Sequence, residues 1–132
     1  LCTCFLSEDA RNVIGKVHTD TEPALSMLKS EGFSYQGYVD IFDAGPAVEC
    51  ETTKIRAVRD SEALVLAIGT PGDDATPFLI HNRKREDCRI TAAPARLAAG
   101  TLVVDQQTAK RLQLIAGDQV RAVPLSAARE SK

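Results

Sequence analysis

Residues 33–50, FSYQGYVDIFDAGPAVEC, decide how the first half of the chain folds. Apolar side chains at every second position have the period of a β-strand, so we predict a strand through Phe42. Tyr38 and Phe42 interrupt its polar face, and we therefore expect both faces to be covered. The following Asp-Ala-Gly-Pro predicts a turn in which Ala44 keeps a negative φ. Together with a returning strand over 47–50, this predicts a β-hairpin.

Two short helices are predicted before the hairpin. Ser7 is suited to cap the first helix, and Gly15 to end it. Residues 19–21 offer a second N-cap, Pro23 is tolerated in the first turn, and Gly32 ends the second helix. Both helices are so short that they need tertiary packing to persist.

The second half of the chain consists of short strand candidates separated by turn residues. We predict a short helix over 108–112 and strands over residues 55–58, 64–68, 78–81, 88–92, 102–104 and 119–125. Several short strands with turns between them indicate a small β-barrel or a sandwich-like module. The sequence therefore predicts an α/β (α+β) fold with one part over 1–59 and a β-rich module over 60–132.

Composition and charge exclude several classes of function. The 132 residues are 44% hydrophobic and 26% charged, with a net charge of −2, which is typical of a soluble globular protein. No basic block points to nucleic acid, and no apolar stretch is long enough to cross a bilayer. The four cysteines, at positions 2, 4, 50 and 88, lack the spacing of a zinc site. We therefore expect reduced, mostly buried thiols in a cytoplasmic protein without a metal.

His18 is the best candidate for catalysis, because the chain contains no phosphate-binding loop, dinucleotide fingerprint or nucleophile elbow. It lies in the connector between the two helices, where an imidazole can reach a pocket and exchange a proton near neutral pH. The alternative is that His18 only caps the end of the first helix. We expect the other histidine, His81, to be a surface residue.

Asp40 and Asp43 are candidates for binding a cationic substrate. They flank an apolar pair at the end of the predicted strand, and a carboxylate there can receive a guanidinium in a bidentate pair. The alternative is that Asp43 starts the turn by bonding its own backbone while Asp40 is solvated. The basic run 83–85 is followed directly by two acids, which favours a solvated loop over a phosphate site.

Five segments, in this order and at this spacing, strongly resemble the C-terminal part of bacterial arginine N-succinyltransferases, which belong to the acyl-CoA N-acyltransferase superfamily. They are Phe5-Leu6-Ser7, the run VIGKVH at 13–18, Glu31-Gly32-Phe33, the run YVDIFDAGP at 38–46, and IRAVR at 55–59. The resemblance implies that residues 1–59 are the closing part of the acyltransferase core. It also implies that the chain is the C-terminal part of a longer protein.

In this family a succinyl group passes from succinyl-CoA to the α-amino group of arginine during arginine catabolism. The resemblance implies that His18, in Gly-x-Val-His, is the proton donor for the departing CoA thiolate, acting as an imidazolium. The loop that holds CoA in this superfamily has no counterpart here. We therefore expect that this chain binds no cofactor, that succinyl-CoA is a co-substrate of the complete enzyme, and that the 132 residues alone are inactive.

The resemblance leaves two questions open. Ornithine is an alternative acceptor to arginine, since related chains differ in substrate. The alternative function is a non-catalytic β-module that uses 60–132 to hold together an oligomer of this subunit with itself or with a related one. We expect small-molecule substrates, arginine and succinyl-CoA, with no nucleic acid or membrane as partner.

Overall fold

The computed structural model describes residues 3–42 and 44–125. Contacts divide the chain into two compact units, which we call the hairpin unit (residues 1–59) and the barrel unit (residues 60–132). Within the described ranges, no helix is long and apolar enough to cross a membrane.

The two predicted helices of the hairpin unit are both present, close to the residues that their local signals indicate. Helix α1 spans Glu8–Val13, and the Ser7 hydroxyl accepts a hydrogen bond from the Ala10 amide at 3.2 Å. Helix α2 spans Glu22–Ser30, with proline in its first turn. Gly32 follows it at a φ of 104°, and the Phe33 amide donates to the Leu28 carbonyl at 3.0 Å. The Ser7 cap and the Gly32 stop are thus confirmed, since this is the bond pattern of a glycine-terminated helix.

The predicted hairpin is confirmed, but its first strand is shorter than expected. Strands β1, Ser34–Val39, and β2, Pro46–Glu49, pair antiparallel. Five residues of β1, from Tyr35 to Val39, lie opposite only three of β2, from Val48 to Pro46. The extra residues form a bulge in which Gly37 has a φ of 84°. The strand ends at Val39 because Asp40 begins the turn.

No described residue of the hairpin unit is buried. Five of the six residues of β1 are exposed, so the prediction that both its faces are covered was wrong for this chain. The physical reason is size, because a two-stranded sheet with short helices is too small to enclose a core of its own. Large apolar side chains such as Tyr38 and Phe42 are therefore 61% and 92% exposed.

Residues 55–58 do not form the predicted strand. A 3-10 turn over Thr52–Lys54 leads into a single helical turn, α3, over Arg56–Arg59. The Arg56 amide donates to the Glu31 carbonyl at 2.9 Å, and the Ala57 amide donates to the Glu31 carboxylate at 2.9 Å. Because Glu31 takes the amides that a partner strand would need, the helical turn is favoured.

The barrel unit is a closed five-stranded barrel, which confirms one of the two predicted architectures. Its strands are β3 (Glu62–Ile68), β4 (Thr76–His81), β5 (Ile90–Ala98), β6 (Thr101–Val104) and β7 (Gln119–Pro124). They close in the order β3-β6-β5-β4-β7, and β7 pairs with β3. The β3–β6 pair is parallel, and the other four are antiparallel.

Strand β5 is longer than predicted because it passes through a proline. Pro94 lies directly opposite Pro77 on β4. Neither residue has an amide hydrogen to donate. The two prolines can therefore face each other at a position of the antiparallel ladder where no hydrogen bond joins the two residues. The strand therefore continues past Ala92 to Ala98.

All buried residues in the described ranges belong to the barrel unit. Alternate positions of its strands point inward, and Leu66, Ile80, Leu102 and Val120 have an exposure of 1% or less. Helix α4, Gln106–Leu112, begins at Asp105, whose carboxylate accepts from the Thr108 amide at 2.6 Å. It contributes its own buried face to this single core.

Candidate functional site

Gly15 places the connector between α1 and α2 beside the hairpin turn. Its amide donates to the Ala44 carbonyl at 2.7 Å, and its φ is 73°. A Cβ at this position would lie 3.4 Å from Cγ1 of Val39. The glycine thus permits both the left-handed backbone and a close approach to β1.

His18 has its backbone and one ring nitrogen held locally. Its Nδ1 accepts a hydrogen bond from the Asp20 amide at 3.3 Å and lies 3.4 Å from the Asp20 carboxylate. The Thr21 hydroxyl donates to the His18 carbonyl at 2.9 Å. In a neutral imidazole Nδ1 accepts from that amide and Nε2 carries the proton, whereas in an imidazolium both nitrogens carry protons and Nδ1–H faces the Asp20 carboxylate. The side chain is 74% exposed, so Nε2–H is accessible to a substrate.

The local role of His18 differs from the expected alternative. It does not cap the end of α1, but forms the N-cap of the 3-10 turn Thr19–Thr21 that precedes α2. Thr21, the N-cap of α2 itself, makes no side-chain capping bond. The histidine therefore fixes the start of the second helix and presents its second nitrogen outward.

Asp40 starts the hairpin turn, the role expected of Asp43. The Asp40 carboxylate accepts from the Phe42 amide at 2.7 Å, and its carbonyl accepts from the Ala44 amide at 3.0 Å. Asp43 lies outside the described residues. Ala44 has a φ of 59°, so the prediction of a negative φ was wrong. The bonds that Ala44 makes to Asp40 and Gly15 hold it in the left-handed region despite its Cβ.

A cleft of about 580 Å³ brings His18 and Asp40 together within the hairpin unit. Its polar lining includes Lys16 and Thr21, beside the imidazole and the carboxylate. Its apolar lining comes mainly from α2 and β2 and includes Ala24, Leu25, Leu28, Ala47 and Val48. The arrangement offers a proton donor, an anion and a cation around a surface that suits a short methylene chain.

Lys16 was missed as a site residue. The only signal in the sequence was its position two residues before His18, within Gly-Lys-Val-His. That signal is weak, because whether a lysine beside a histidine faces the same cleft depends on how the connector is folded. Here the hydrogen bond from the Gly15 amide to the hairpin turn holds the connector so that Lys16 and His18 line the same cleft.

A second cleft of the hairpin unit, about 410 Å³, has in its wall one acid, Glu51, that is already paired. Glu51 in its wall bonds the Lys54 ammonium at 2.8 Å and the Thr53 hydroxyl at 2.9 Å. Lys54 first, and then Thr53, lower the pKa of the Glu51 carboxyl from its usual value. Since its charge is compensated from within the chain, this cleft is the weaker candidate.

The described cysteines form no disulfide with one another, and they are not mostly buried as predicted. Cys4 and Cys88 are exposed, Cys50 is half-buried, and Cys2 lies outside the described residues. In a structure whose core is confined to the barrel interior, positions outside that interior remain accessible. Cys88 Sγ lies 3.4 Å from Nε2 of His81, which is half-buried. Among the described residues, no group of three or more side chains is placed to hold a metal.

The polar loop after β4 is anchored and not simply solvated. Asn82 at its start is 2% exposed, and its amide nitrogen donates to the carbonyls of Asp87 and Leu112. Its oxygen accepts from the amides of Lys84 and Arg89. A buried asparagine with four bonds fixes the loop, but the basic side chains at 83–85 remain exposed around it.

Two family models match the chain in succession. The model described as arginine N-succinyltransferase beta subunit matches residues 1–57. The model described as the C-terminal domain of that subunit matches residues 61–124.

Relatives of known name agree with these matches. The chain is 80% identical to an arginine N-succinyltransferase subunit beta from Pseudomonas aeruginosa over 96% of its length, and 40% identical to an Escherichia coli arginine N-succinyltransferase over 95%. It superimposes on the solved arginine/ornithine succinyltransferase subunit AI from Pseudomonas aeruginosa with a TM-score of 0.81 at 28% identity, over 94% of the chain. The chain spans 37% of the length of each of these three proteins.

Proposed function

We propose that this chain, which belongs to the arginine N-succinyltransferase family, forms the C-terminal part of one subunit of a multi-subunit succinyltransferase. It supplies the histidine that acts as the general acid. The reaction would move a succinyl group from succinyl-CoA to the α-amino group of arginine. The observation that carries the proposal is that His18 and Asp40 line the same cleft, with Nε2 of His18 free of hydrogen bonds to the described residues.

In the proposed mechanism, the α-amino nitrogen attacks the thioester carbon and the carbonyl oxygen takes the negative charge. Donors for that oxyanion would be backbone N–H groups of a strand elsewhere in the complete enzyme. When the C–S bond breaks, its electron pair leaves with the sulfur, and His18, as an imidazolium whose Nδ1–H faces the Asp20 carboxylate at 3.4 Å, donates its Nε2 proton to it and becomes a neutral imidazole. The attacking nitrogen loses one proton, directly or through water, to the imidazole. Such acid catalysis contributes roughly 10²–10⁴ in rate.

Asp40 is proposed to receive the cationic end of the acceptor. One of its oxygens is held by the Phe42 amide, which fixes the orientation of the carboxylate at the cleft. A guanidinium or an ammonium would both bind there, so the proposal covers arginine and, as an alternative acceptor, ornithine. Asp43, three residues further along the sequence, stays a proposed second contact.

We propose that the hairpin unit is the closing part of an acyl-CoA N-acyltransferase core. The support is its lack of any buried residue in the described ranges, because such a unit needs further chain to cover its apolar side chains. On this proposal the 132 residues alone are catalytically inactive, because they do not include the loop that binds CoA. The thiols of Cys50 and Cys88, which form no disulfide with another described residue, favour the cytoplasm as the location.

The test is to replace each of the two histidines in the complete enzyme. His18→Ala should reduce kcat by roughly 10²–10⁴, while His81→Ala, in the barrel unit, should leave kcat close to the wild type. Equal activity of both variants would remove His18 from the chemistry.

A second candidate function is subunit association through the barrel unit. The described strands close into a barrel, and apolar side chains on its outside such as Ile90 and Ile115 are 59% and 71% exposed. Ile115→Lys in the complete enzyme should then lower the mass measured by light scattering, without changing kcat per subunit. An unchanged mass would count against association through this surface.

A further inference from the structure

Lys16 is the one lysine or arginine among the described residues that line the cleft of His18 and Asp40. It lies in the connector directly after Gly15, and its own amide donates to the Val13 carbonyl at 3.0 Å. The backbone that carries the Lys16 side chain is therefore held in place at the edge of the cleft.

The ammonium of Lys16 forms no ion pair with any described residue. Asp40 lines the same cleft, yet the described bond of its carboxylate goes to the Phe42 amide and not to the lysine. A cation and an anion in one cleft that do not neutralise each other are both available to a ligand.

The apolar lining between these charges restricts the ligand. Leu25 and Leu28 of α2 and Val48 of β2 offer aliphatic surface. A short methylene chain matches that surface, and a charged group at its end needs an opposite charge when water is displaced. The ligand that fits is therefore an aliphatic chain that ends in a carboxylate on the Lys16 side.

We propose that Lys16 binds a carboxylate of a substrate, an inference that rests on the proposed succinyl transfer. Two carboxylates of that reaction have the required chemistry: the α-carboxylate of the amino-acid acceptor and the terminal carboxylate of the succinyl group. Lys16 is then a specificity residue, which selects a carboxylate-bearing substrate and takes no part in proton transfer.

The experiment compares ligands with and without each carboxylate in the complete enzyme. Lys16→Met and Lys16→Arg are measured beside Lys29→Met, an exposed lysine of α2 that does not line the cleft. Apparent KM is measured for arginine and succinyl-CoA. Competitive inhibition constants are measured for agmatine, which is arginine without its carboxylate, and for butyryl-CoA, which lacks the terminal carboxylate.

If Lys16 binds the acceptor, Lys16→Met raises KM for arginine by roughly 10- to 100-fold and leaves the inhibition constant of agmatine unchanged. If it binds the succinyl group, Lys16→Met raises KM for succinyl-CoA by a similar factor and leaves the inhibition constant of butyryl-CoA unchanged. Lys16→Arg should recover much of the loss, because it keeps the positive charge, and Lys29→Met should match the wild type.

Equal weakening of a substrate and its carboxylate-free analogue would mean a structural role and would overturn the inference. An unchanged KM for both substrates would also overturn it. Both outcomes are distinct from failure of the proposed function, which is read from kcat of the His18 variants.

Discussion

Glu31 and Arg56 are joined by two contacts across 25 residues of sequence. Oε1 of Glu31 lies 2.6 Å from one terminal nitrogen of the Arg56 guanidinium and 2.8 Å from its Nε. Oε2 accepts from the Ala57 amide at 2.9 Å. The side chains are only 22% and 11% exposed, so this pair is better shielded from water than a surface ion pair. It ties the end of α2 to α3 in a unit where no described residue is buried.

Glu31→Ala should release α3 from α2. Removing the carboxylate leaves the Ala57 amide without its acceptor and removes both contacts of the guanidinium with Oε1, at a cost of roughly 1–3 kcal/mol. Hydrogen exchange of the Ala57 amide should then speed up by about 10- to 100-fold. Glu31→Gln, which retains an oxygen acceptor, should show a smaller change. Exchange that is unaltered in Glu31→Ala would show that this pair does not hold α3.

Ala44→Gly should stabilise the hairpin turn. An L-residue in the left-handed region costs roughly 1 kcal/mol relative to glycine, and Ala44 has a φ of 59°. The gain should appear as slower hydrogen exchange of the Gly15 amide, which donates to the Ala44 carbonyl. Ala47→Gly, the same change within β2, should have the opposite sign, since glycine weakens a strand. If both variants destabilise the unit, the left-handed conformation at Ala44 carries no strain.

Leu102→Ala should destabilise the barrel by about 2–5 kcal/mol, because it opens a cavity at a side chain that is 0% exposed. Leu97 lies opposite on β5 but is 48% exposed, so Leu97→Ala should cost much less. Urea unfolding followed by circular dichroism measures both. Similar losses for the two variants would contradict the assignment of the core to the barrel interior.

Stability of the barrel unit should fall in acid through Asp105. The hydrogen bond from the Thr108 amide lowers the pKa of the Asp105 carboxyl below its usual value of 3.8. The folded state therefore binds fewer protons, and this contribution is present above the unfolded pKa and lost as pH falls through the folded one. Asp105→Asn keeps a capping oxygen but cannot titrate, so its stability should decline less between pH 5 and pH 2. The measurement is the unfolding midpoint of each protein as a function of pH. If it declines equally in the wild type and in Asp105→Asn, Asp105 does not cause the loss of stability in acid.

The features predicted correctly from sequence depend on neighbouring residues. The Ser7 cap and the Gly32 stop are decided within one helical turn, and the hairpin follows from a period of two and a turn motif. The series of short strands separated by turns likewise predicted either a barrel or a sandwich, and the structure is a closed barrel.

The wrong predictions concern residues whose conformation is decided by distant contacts. Residues 55–58 have the composition of a strand, but Glu31 binds the Arg56 and Ala57 amides. Strand β5 passes through Pro94 because a second proline, Pro77, lies opposite. Neither contact is visible in the local sequence.

The candidate site was predicted residue by residue, but not as a site. His18 and Asp40 were each selected for their chemistry, with no reason from the sequence for them to meet. The bond between Gly15 and Ala44, which brings the connector to the turn, joins residues 29 positions apart (44 − 15). The same bond brings in Lys16, which local patterns did not select.

In the proposed mechanism, His18 donates a proton and does not merely cap the turn before α2. His18→Asn in the complete enzyme separates the two roles, because an asparagine oxygen can accept from the Asp20 amide as Nδ1 does but cannot transfer a proton from Nε2. We predict that kcat falls by roughly 10²–10⁴ while the unfolding midpoint stays near that of the wild type. A kcat close to wild type in a folded His18→Asn enzyme would contradict the account, since the histidine would then serve only as a cap.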